Sequence, residues 1–313
     1  MFFSYYSNLE YHILIFLCIC WFFLIVQIIY NIYFFRKLIV FKEHKGSNKS
    51  GISVIICAKN EYDNLKKNLK TFLTQDFINY EVIVVNDQSN DNTKDLLNEY
   101  EKTFFRLKVV NIDENVNHVI GKKFALTLGI KSAKYENLLL TDADCYVESN
   151  KWISSMASNF NKYDVVLGYG AYQKEKGLLN KFIRFDTYII AMQYFSYALK
   201  SLTYMGVGRN LAYKKSIFFK NKGFANHLHV SSGDDDLFIR EVSKKYKVGI
   251  ELSEKSHTIS IPKRKWKDWY AQKRRHLTTS PLYDNKIKFF LSFYSISQFL
   301  FFFLAFLSFL PKS

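Results

Sequence analysis

GISVIICAKNEYDNLKKNLKTFLTQDFINYEVIVVND, residues 51–87, decides the fold class. Its first run, GISVIIC, is short and apolar with several β-branched residues, as a buried strand requires. After the polar AKNEYDN, Leu65, Leu69, Phe72 and Leu73 recur at the spacing of one helix face. YEVIVVND is a second buried strand, ending at Asp87. The turn-rich QSNDNT then leads into a helix from about Lys94, and LKVVNI gives a third strand. GKKFALTLGIKSA reads as a helix, and ENLLLTDADC as a fourth strand ending in acidic residues. Apolar strands alternating with helices predict a parallel, doubly wound α/β sheet without internal repeats. Ligands of such sheets bind at the carboxyl ends of the strands, where Asp87, Asp142 and Asp144 all fall.

Two apolar stretches flank this block. Residues 11–35, YHILIFLCICWFFLIVQIIYNIYFF, are long enough to span a bilayer core. With no Lys or Arg in the first ten residues and so long a core, this reads as an uncleaved anchor rather than a secretion signal. The second stretch covers residues 287–310. Arg36, Lys37, Lys42, Lys45 and Lys49 follow the first span, and Lys286 and Lys288 bracket the start of the second. The positive-inside bias places residues from about 36 to 288 in the cytoplasm. The expected organisation is a short extracytoplasmic segment (1–10), a transmembrane helix (11–35), a basic linker (36–50), a soluble block divided at 176/177, a segment at the membrane interface (261–285) and a second transmembrane helix (287–310).

Composition narrows the function classes. A hydrophobic fraction of 49% excludes a disordered chain, and 30 Phe with 22 Tyr against 3 Pro and 12 Gly excludes collagen-like and linker-like ones. Forty-four Lys and Arg against 28 Asp and Glu leave a charge of +16, which favours anionic partners. Membrane-facing basic residues account for part of that excess, so nucleic acid is not invoked. Cys18, Cys20, Cys57 and Cys145 have neither metal-ligand spacing nor a disulfide framework and read as small buried hydrophobes.

Four patterns carry chemistry. Asp142 and Asp144, alternate carboxylates on a strand end, can face one divalent cation beside a diphosphate, although acidic turns after strands are common. At its strand tip, Asp87 can accept a hydrogen bond from a base edge; the loop after it also reads as an Asx-type turn with Asp91 or Thr93 capping the next helix. Gly233-Asp234-Asp235-Asp236 places three carboxylates at a helix start. One or two can serve the macrodipole, and their crowding should raise one pKa towards a general-base range. WKDWYAQKRRHLTT gathers Gln272, Arg274, Arg275 and His276 with Trp266 and Trp269, either a helix on a membrane surface or a diphosphate clamp. His227 and His229 have strand spacing for a metal but also fit packed histidines, and His257 could complete a cation site begun by Asp144. Residues 177–204 are long and apolar but interrupted by Lys181, Arg184, Asp186 and Lys200; they read as an interface helix or a buried domain helix.

In this order, these features resemble the membrane-bound family 2 glycosyltransferases of the GT-A fold, which include the cellulose, chitin, hyaluronan and poly-N-acetylglucosamine synthases. SVIICAKNE looks like the opening strand with its Asn-Glu, and VVNDQSNDNT resembles V-D-D-G-S-x-D-x-T, with Asn86 for the first Asp and Gln88 for Gly. GKKFALTLGI is similar to G-K-x-x-A-L-x-x-G, TDADC to the D-x-D strand end, and MGVGRNLAYKKSIFF to the acceptor-side segment. GDDDL looks like the acidic base motif and QKRRH like Q-x-x-R-W. The resemblance covers residues 51–279.

It implies a GT-A domain with a Rossmann-like, mostly parallel sheet flanked by transmembrane helices. Residues 51–176 would be the nucleotide-sugar half and 177–260 the acceptor-side half. The implied activity is inverting transfer of a sugar from a nucleotide-sugar donor to a glycan or lipid-linked acceptor, at the inner face of a bacterial cytoplasmic membrane. Asp87 would bind the nucleobase, Lys122 and Asp142 the nucleotide, and Asp144 Mg²⁺ or Mn²⁺. Asp235, or in another register Asp234, would be the base. Gln272 and Arg275 would hold acceptor and diphosphate, with His276 where the family has Trp, a departure that bears on processivity. The alternatives are a silent membrane scaffold, which would not require all four acidic sites, and a sugar-nucleotidyltransferase, whose Gly-rich loop AKNEYDN matches poorly. A Rossmann dehydrogenase would need G-x-G-x-x-G after the first strand, and it is missing.

Overall fold

The computed structural model describes residues 2–43, 46, 48–113, 122–228, 230 and 232–308, with side chains from Tyr11 onward. Lys45, Gly121, His229 and residues 309–310 lie outside the described residues. Two compact units emerge: Met1–Phe41 with Tyr283–Ser313, and Lys42–Leu282.

Helix α1 (Phe2–Tyr30) continues through a π-turn (Asn31–Phe35) into α2 (Arg36–Ile39). Then β1 (Ile52–Ala58), α3 (Tyr62–Leu73), β2 (Tyr80–Asp87), α4 (Thr93–Thr103), β3 (Leu107–Ile112), α5 (Lys123–Ser132) and β4 (Asn137–Asp142) alternate as the sequence predicts. Beyond them come β5 (Cys145–Tyr146), α6 (Trp152–Ala157), β6 (Val165–Leu167), β7 (Gly170–Tyr172) and the long α7 (Leu178–Ala198). The chain continues through β8 (Leu211–Lys214), α8 (Lys215–Lys220), α9 (Asp236–Val242), β9 (Val248–Ile250) and β10 (Thr258–Ser260). It closes with α10 (Trp266–His276) and α11 (Asn285–Ser308).

The first unit is a pair of helices long and apolar enough to cross a membrane, Tyr11–Ile39 and Asn285–Ser308. Large apolar side chains stay exposed along both, as lipid-facing surfaces do. Between the helices, Gln27 Nε2 donates to Ser297 Oγ at 2.7 Å and to the Tyr294 carbonyl at 3.3 Å. Tyr30 donates its hydroxyl to the Phe290 carbonyl at 2.9 Å. The first helix starts at Phe2 rather than residue 11, because FFSYYSNLE has no Gly or Pro to stop it. Cys18 is exposed there, against the expectation of burial.

In the second unit, seven strands run in the order β3-β2-β1-β4-β8-β6-β9. The first four are parallel, as expected. β8 departs from the parallel plan and runs antiparallel to both β4 and β6. Its register, Leu140 opposite Leu211, brings the turn before β8 beside the carboxyl end of β4. A second sheet, β5-β10-β7, follows the β4 tip. The core is built by the fully buried faces of β1, β2 and β4 with Leu65, Leu69, Phe72 and Leu73 of α3. On the opposite face α5 comes so close that a Cβ on Gly129 would stand 2.7 Å from Ile55 Cγ2.

Of the two capping candidates in the loop after β2, Asp91 fills the role and Thr93 does not. Thr93 does not cap its own helix: its Oγ1 accepts from the Glu61 N–H at 3.0 Å. Asp91 accepts from Thr93 N at 3.1 Å and Tyr62 N at 3.2 Å, and so serves the starts of both α4 and α3. These bonds lock the loops after β1 and β2 together. Within residues 177–204 the buried-helix reading holds for the second half of α7 only. Leu178, Phe182, Phe185 and Tyr188 are exposed, whereas Ala191, Tyr194, Phe195 and Tyr197 are buried.

Candidate active site

β2 and β4 flank β1, and the chain order reverses between β1 and β4, so a crevice opens at their carboxyl ends. Cys57 stands opposite Asp142 in register at that point, and Asp87 tips the neighbouring strand. Lys122, at the N-terminus of α5, points its ammonium to Asp142 Oδ1 at 2.6 Å and Asp234 Oδ2 at 3.4 Å. Burial would lower this lysine's pKa, but Asp142 and Asp234 hold it well above the usual value. Burial pulls Asp142 upward, and Lys122 more than offsets that, leaving it below the usual carboxylate range. Asp144 goes the other way, raised by burial and by Asp142; its contact with the Cys145 thiol is long, at 3.6 Å. Beneath these groups Cys57, Lys122, Thr141, Gly208, Asp234 and Asp235 line a narrow cavity.

The GDDD run closes the crevice from the other side. Gly233, at φ 90°, makes the left-handed turn into it. Asp235 caps α9: Oδ1 accepts from Asp236 N at 2.7 Å and Oδ2 from Gly208 N at 2.8 Å. Burial, then Asp234 and Asp236, push its pKa up to about 7. Asp236 is buried, and its oxygens accept from Leu237 N at 2.8 Å and Thr279 Oγ1 at 2.5 Å. Lys123, almost wholly buried, donates to the carbonyls of His227 and Val230, each at 2.6 Å, and so ties down the approach to this loop.

None of the α10 residues is buried. Gln272 reaches the Tyr172 hydroxyl at 3.4 Å, and the positive field of Arg275 acts on Asp142. His276 is driven down to about 4 by partial desolvation and by Arg275, Lys273 and Arg209, while much of its surface still meets solvent. Trp266 and Trp269 pack on Phe182 of α7, ring centroids 5.6 and 5.2 Å away. Arg209 carries one signal in the sequence, an isolated cation inside MGVGRNLAY, too weak to mark it as a site residue. Its guanidinium stacks on Tyr172 at 4.3 Å, facing the same corner.

A cation site completed by His257 is not formed. His257 Nε2 lies 3.1 Å from the Leu252 carbonyl, and its ring meets Tyr169 edge-on. His227 is packed, 3.9 Å from Glu241. Among the described residues, no three His, Cys, Asp or Glu side chains converge to hold a metal. What remains is Asp144 with Asp142 beside it, a hard-oxygen pair that suits Mg²⁺ or Mn²⁺ when ligand phosphates supply the other oxygens.

A mostly parallel sheet with acidic strand tips facing a carboxylate cluster across a switch-point crevice is the GT-A arrangement. Residues 53–221, more than half the chain, match the family model described as Glycosyl transferase family 2, and the chain belongs to that family. It is 34% identical over 143 residues to a poly-beta-1,6-N-acetyl-D-glucosamine synthase of Staphylococcus epidermidis, covering 44% of this chain and 32% of that protein. It is 28% identical over 234 residues to the probable glycosyltransferase YdaM of Bacillus subtilis, covering 72% of this chain and 54% of the relative. The match thus spans about a third to a half of these relatives' length. A Pyrobaculum calidifontis mannosyltransferase, solved with GDP-Man and Mn²⁺, superposes with TM-score 0.64 at 18% identity, covering 84% of this chain and 72% of that one. Staphylococcus aureus TarS 1–349 with UDP gives TM-score 0.52 at 20% identity, covering 72% and 64%. At such identities these likenesses concern the fold.

Proposed function

We propose that this chain is a membrane-anchored, inverting glycosyltransferase that moves a sugar from a nucleotide-sugar donor to a hydroxyl of a glycan or lipid-linked acceptor on the cytoplasmic face. The observation that carries the reading is Asp235, a carboxylate poised near neutral pH and held by two backbone N–H groups, facing the Lys122–Asp142 pair. A sugar hydroxyl becomes a competent nucleophile as its proton is taken, and a base with a pKa near working pH does this best. Asp235 takes the acceptor proton, the acceptor oxygen bonds to the anomeric carbon from behind, and the carbon–phosphate oxygen bond breaks with its electron pair on the diphosphate. Attack from the face opposite the leaving group inverts the anomeric centre.

Other residues bind and orient. Asp87 serves the nucleobase, and Lys122 with Asp142 the nucleotide. Asp144 holds the divalent cation, which when bound would neutralise charge on the diphosphate. Gln272 and Arg275 lie on the acceptor and diphosphate side, and the neutral ring of His276 replaces a stacking indole. Asp234 is engaged by Lys122, which favours Asp235 as the base. The GDP-Man and UDP complexes of the structural neighbours support a nucleotide-sugar donor, and the Mn²⁺ of one of them supports metal use. Two apolar helices and the basic residues inside them support the anchored, cytoplasm-facing placement. The test is a donor screen on purified membranes with Mn²⁺ or Mg²⁺, reading released nucleoside diphosphate. Release from at least one nucleotide sugar, dependent on Asp235, is expected; none from any donor would sink the reading.

A further inference from the structure

Arg209 sits in the 3₁₀ turn Gly208–Asn210, between the base and the acidic strand tips. Gly208 donates to Asp235, and Thr258 Oγ1 binds the Arg209 carbonyl at 2.9 Å. Buried Asn210 anchors the far end through Trp152 Nε1 at 3.1 Å and the Ser256 carbonyl at 2.7 Å. The side chain runs between the bare face of Gly170, where a Cβ would stand 3.2 Å from Arg209 Cβ, and the Tyr172 ring. Nη1 makes two long contacts, to Ala171 O at 3.4 Å and Ser260 Oγ at 3.3 Å. Both acceptors are neutral. Among the described residues no carboxylate pairs with Arg209, although Asp142 and Asp144 lie within its electrostatic reach.

Lys122 stands in contrast, bracketed by two carboxylates. A diphosphate arriving at the Asp142–Asp144 corner would meet a lysine already compensated and a guanidinium that is not. Arg209 also offers donors in a rigid planar fork, the geometry that matches phosphoryl oxygens in pairs.

The geometry points to Arg209 as the residue that receives the leaving diphosphate, a role resting on the glycosyltransferase reading above. The electron pair of the broken anomeric carbon–oxygen bond settles on a phosphate oxygen, and Arg209 meets the charge appearing there. A phosphorylated acceptor would present the same chemistry, so the test separates the two sources.

The experiment titrates full-length protein in detergent, with Mn²⁺ present, against UDP, GDP and the corresponding monophosphates, and then repeats this with Arg209→Met and Arg209→Lys. For the nucleotide the wild type prefers, the Met variant should lose roughly 10- to 100-fold in diphosphate affinity and much less for the monophosphate. The Lys variant, which keeps the charge without the fork, should fall between and preserves a readout if Met unfolds the turn. Equal diphosphate affinity in wild type and variants overturns the assignment, and an unchanged nucleotide affinity with a raised acceptor KM would move Arg209 to a phosphorylated acceptor. Parallel loss for mono- and diphosphate would make it a structural tie between β7 and β10. A wild type that binds none of the nucleotides defeats the glycosyltransferase reading, and this inference with it.

Discussion

The backbone N–H of Gly208 donates to Asp235 Oδ2 at 2.8 Å, so a turn before β8 fixes the central carboxylate of a loop 27 residues further along the chain. The two lone-pair clusters of Asp235 are thereby oriented, while burial and its acidic neighbours keep its pKa near 7.

Turnover should therefore rise with pH through about 7 as Asp235 ionises. Asp235→Asn should lower kcat roughly 10²–10⁴-fold with donor affinity near wild type. Stability runs the opposite way. A carboxyl raised in the folded state binds its proton more tightly folded than unfolded, so its contribution is present at low pH and lost as pH rises through about 7. The Tm of Asp235→Asn minus that of wild type should grow more positive between pH 4 and 8, measured by thermal melts; a flat difference would contradict the raised pKa.

Metal dependence should run through Asp144. Asp144→Asn removes a carboxylate that makes only a long contact to the Cys145 thiol among the described residues, so the Mn²⁺ concentration for half-maximal activity should climb at least tenfold while the melting profile without metal stays close to wild type. Full turnover of the wild type in excess chelator would refute the assignment.

Gln88 holds φ 53°, the left-handed region that residues with a Cβ enter only at a cost. The family loop it resembles has Gly there. Gln88→Gly should stabilise the domain by about 0.5–1 kcal/mol, by relief of this strain less the added entropy of the unfolded chain. Chemical denaturation measures it; a loss of stability would mean the Gln side chain contributes more than its backbone strain.

In the helical pair, Gln27→Leu should weaken association of the two spans by about 0.6 kcal/mol, the average for polar contacts in membranes, because the contacts to Ser297 Oγ and the Tyr294 carbonyl disappear. Ser297→Ala should add little to it, since both remove one shared bond. A double-mutant cycle on detergent-solubilised protein checks the coupling.

Orientation gives a last test. Lys286, at the start of the second span, should be shielded from added protease in intact cells and cut in inverted vesicles. Cutting from outside intact cells would reverse the topology and remove access to cytoplasmic nucleotide sugars.

Much of the architecture was legible in the chain itself. VIIC, VIVV and LLL are short continuous apolar runs bounded by polar turns, as strands buried on both faces are, and Leu65, Leu69, Phe72 and Leu73 share one helical face whatever surrounds them. Local spacing likewise put Asp87 and Asp142 at strand tips. Asn86, where the family has Asp, is buried and donates to Asn111 Oδ1 at 2.9 Å, a partner on the next strand that was not readable.

Only tertiary structure separated three chemically identical neighbours, Asp234, Asp235 and Asp236. Lys122 engages the first, Gly208 fixes the second, and Thr279 with burial claims the third; each partner is remote in sequence. The reversed direction of β8, the acceptance by Thr93 Oγ1 of an N–H from another helix start and the position of Arg209 were hidden for the same reason. Periodicity and apolar runs are properties of a chain segment, and they fix secondary structure and which side is buried. A side chain's charge state and partners depend on desolvation and on groups within a few ångströms in space, and these exist only once distant segments have packed.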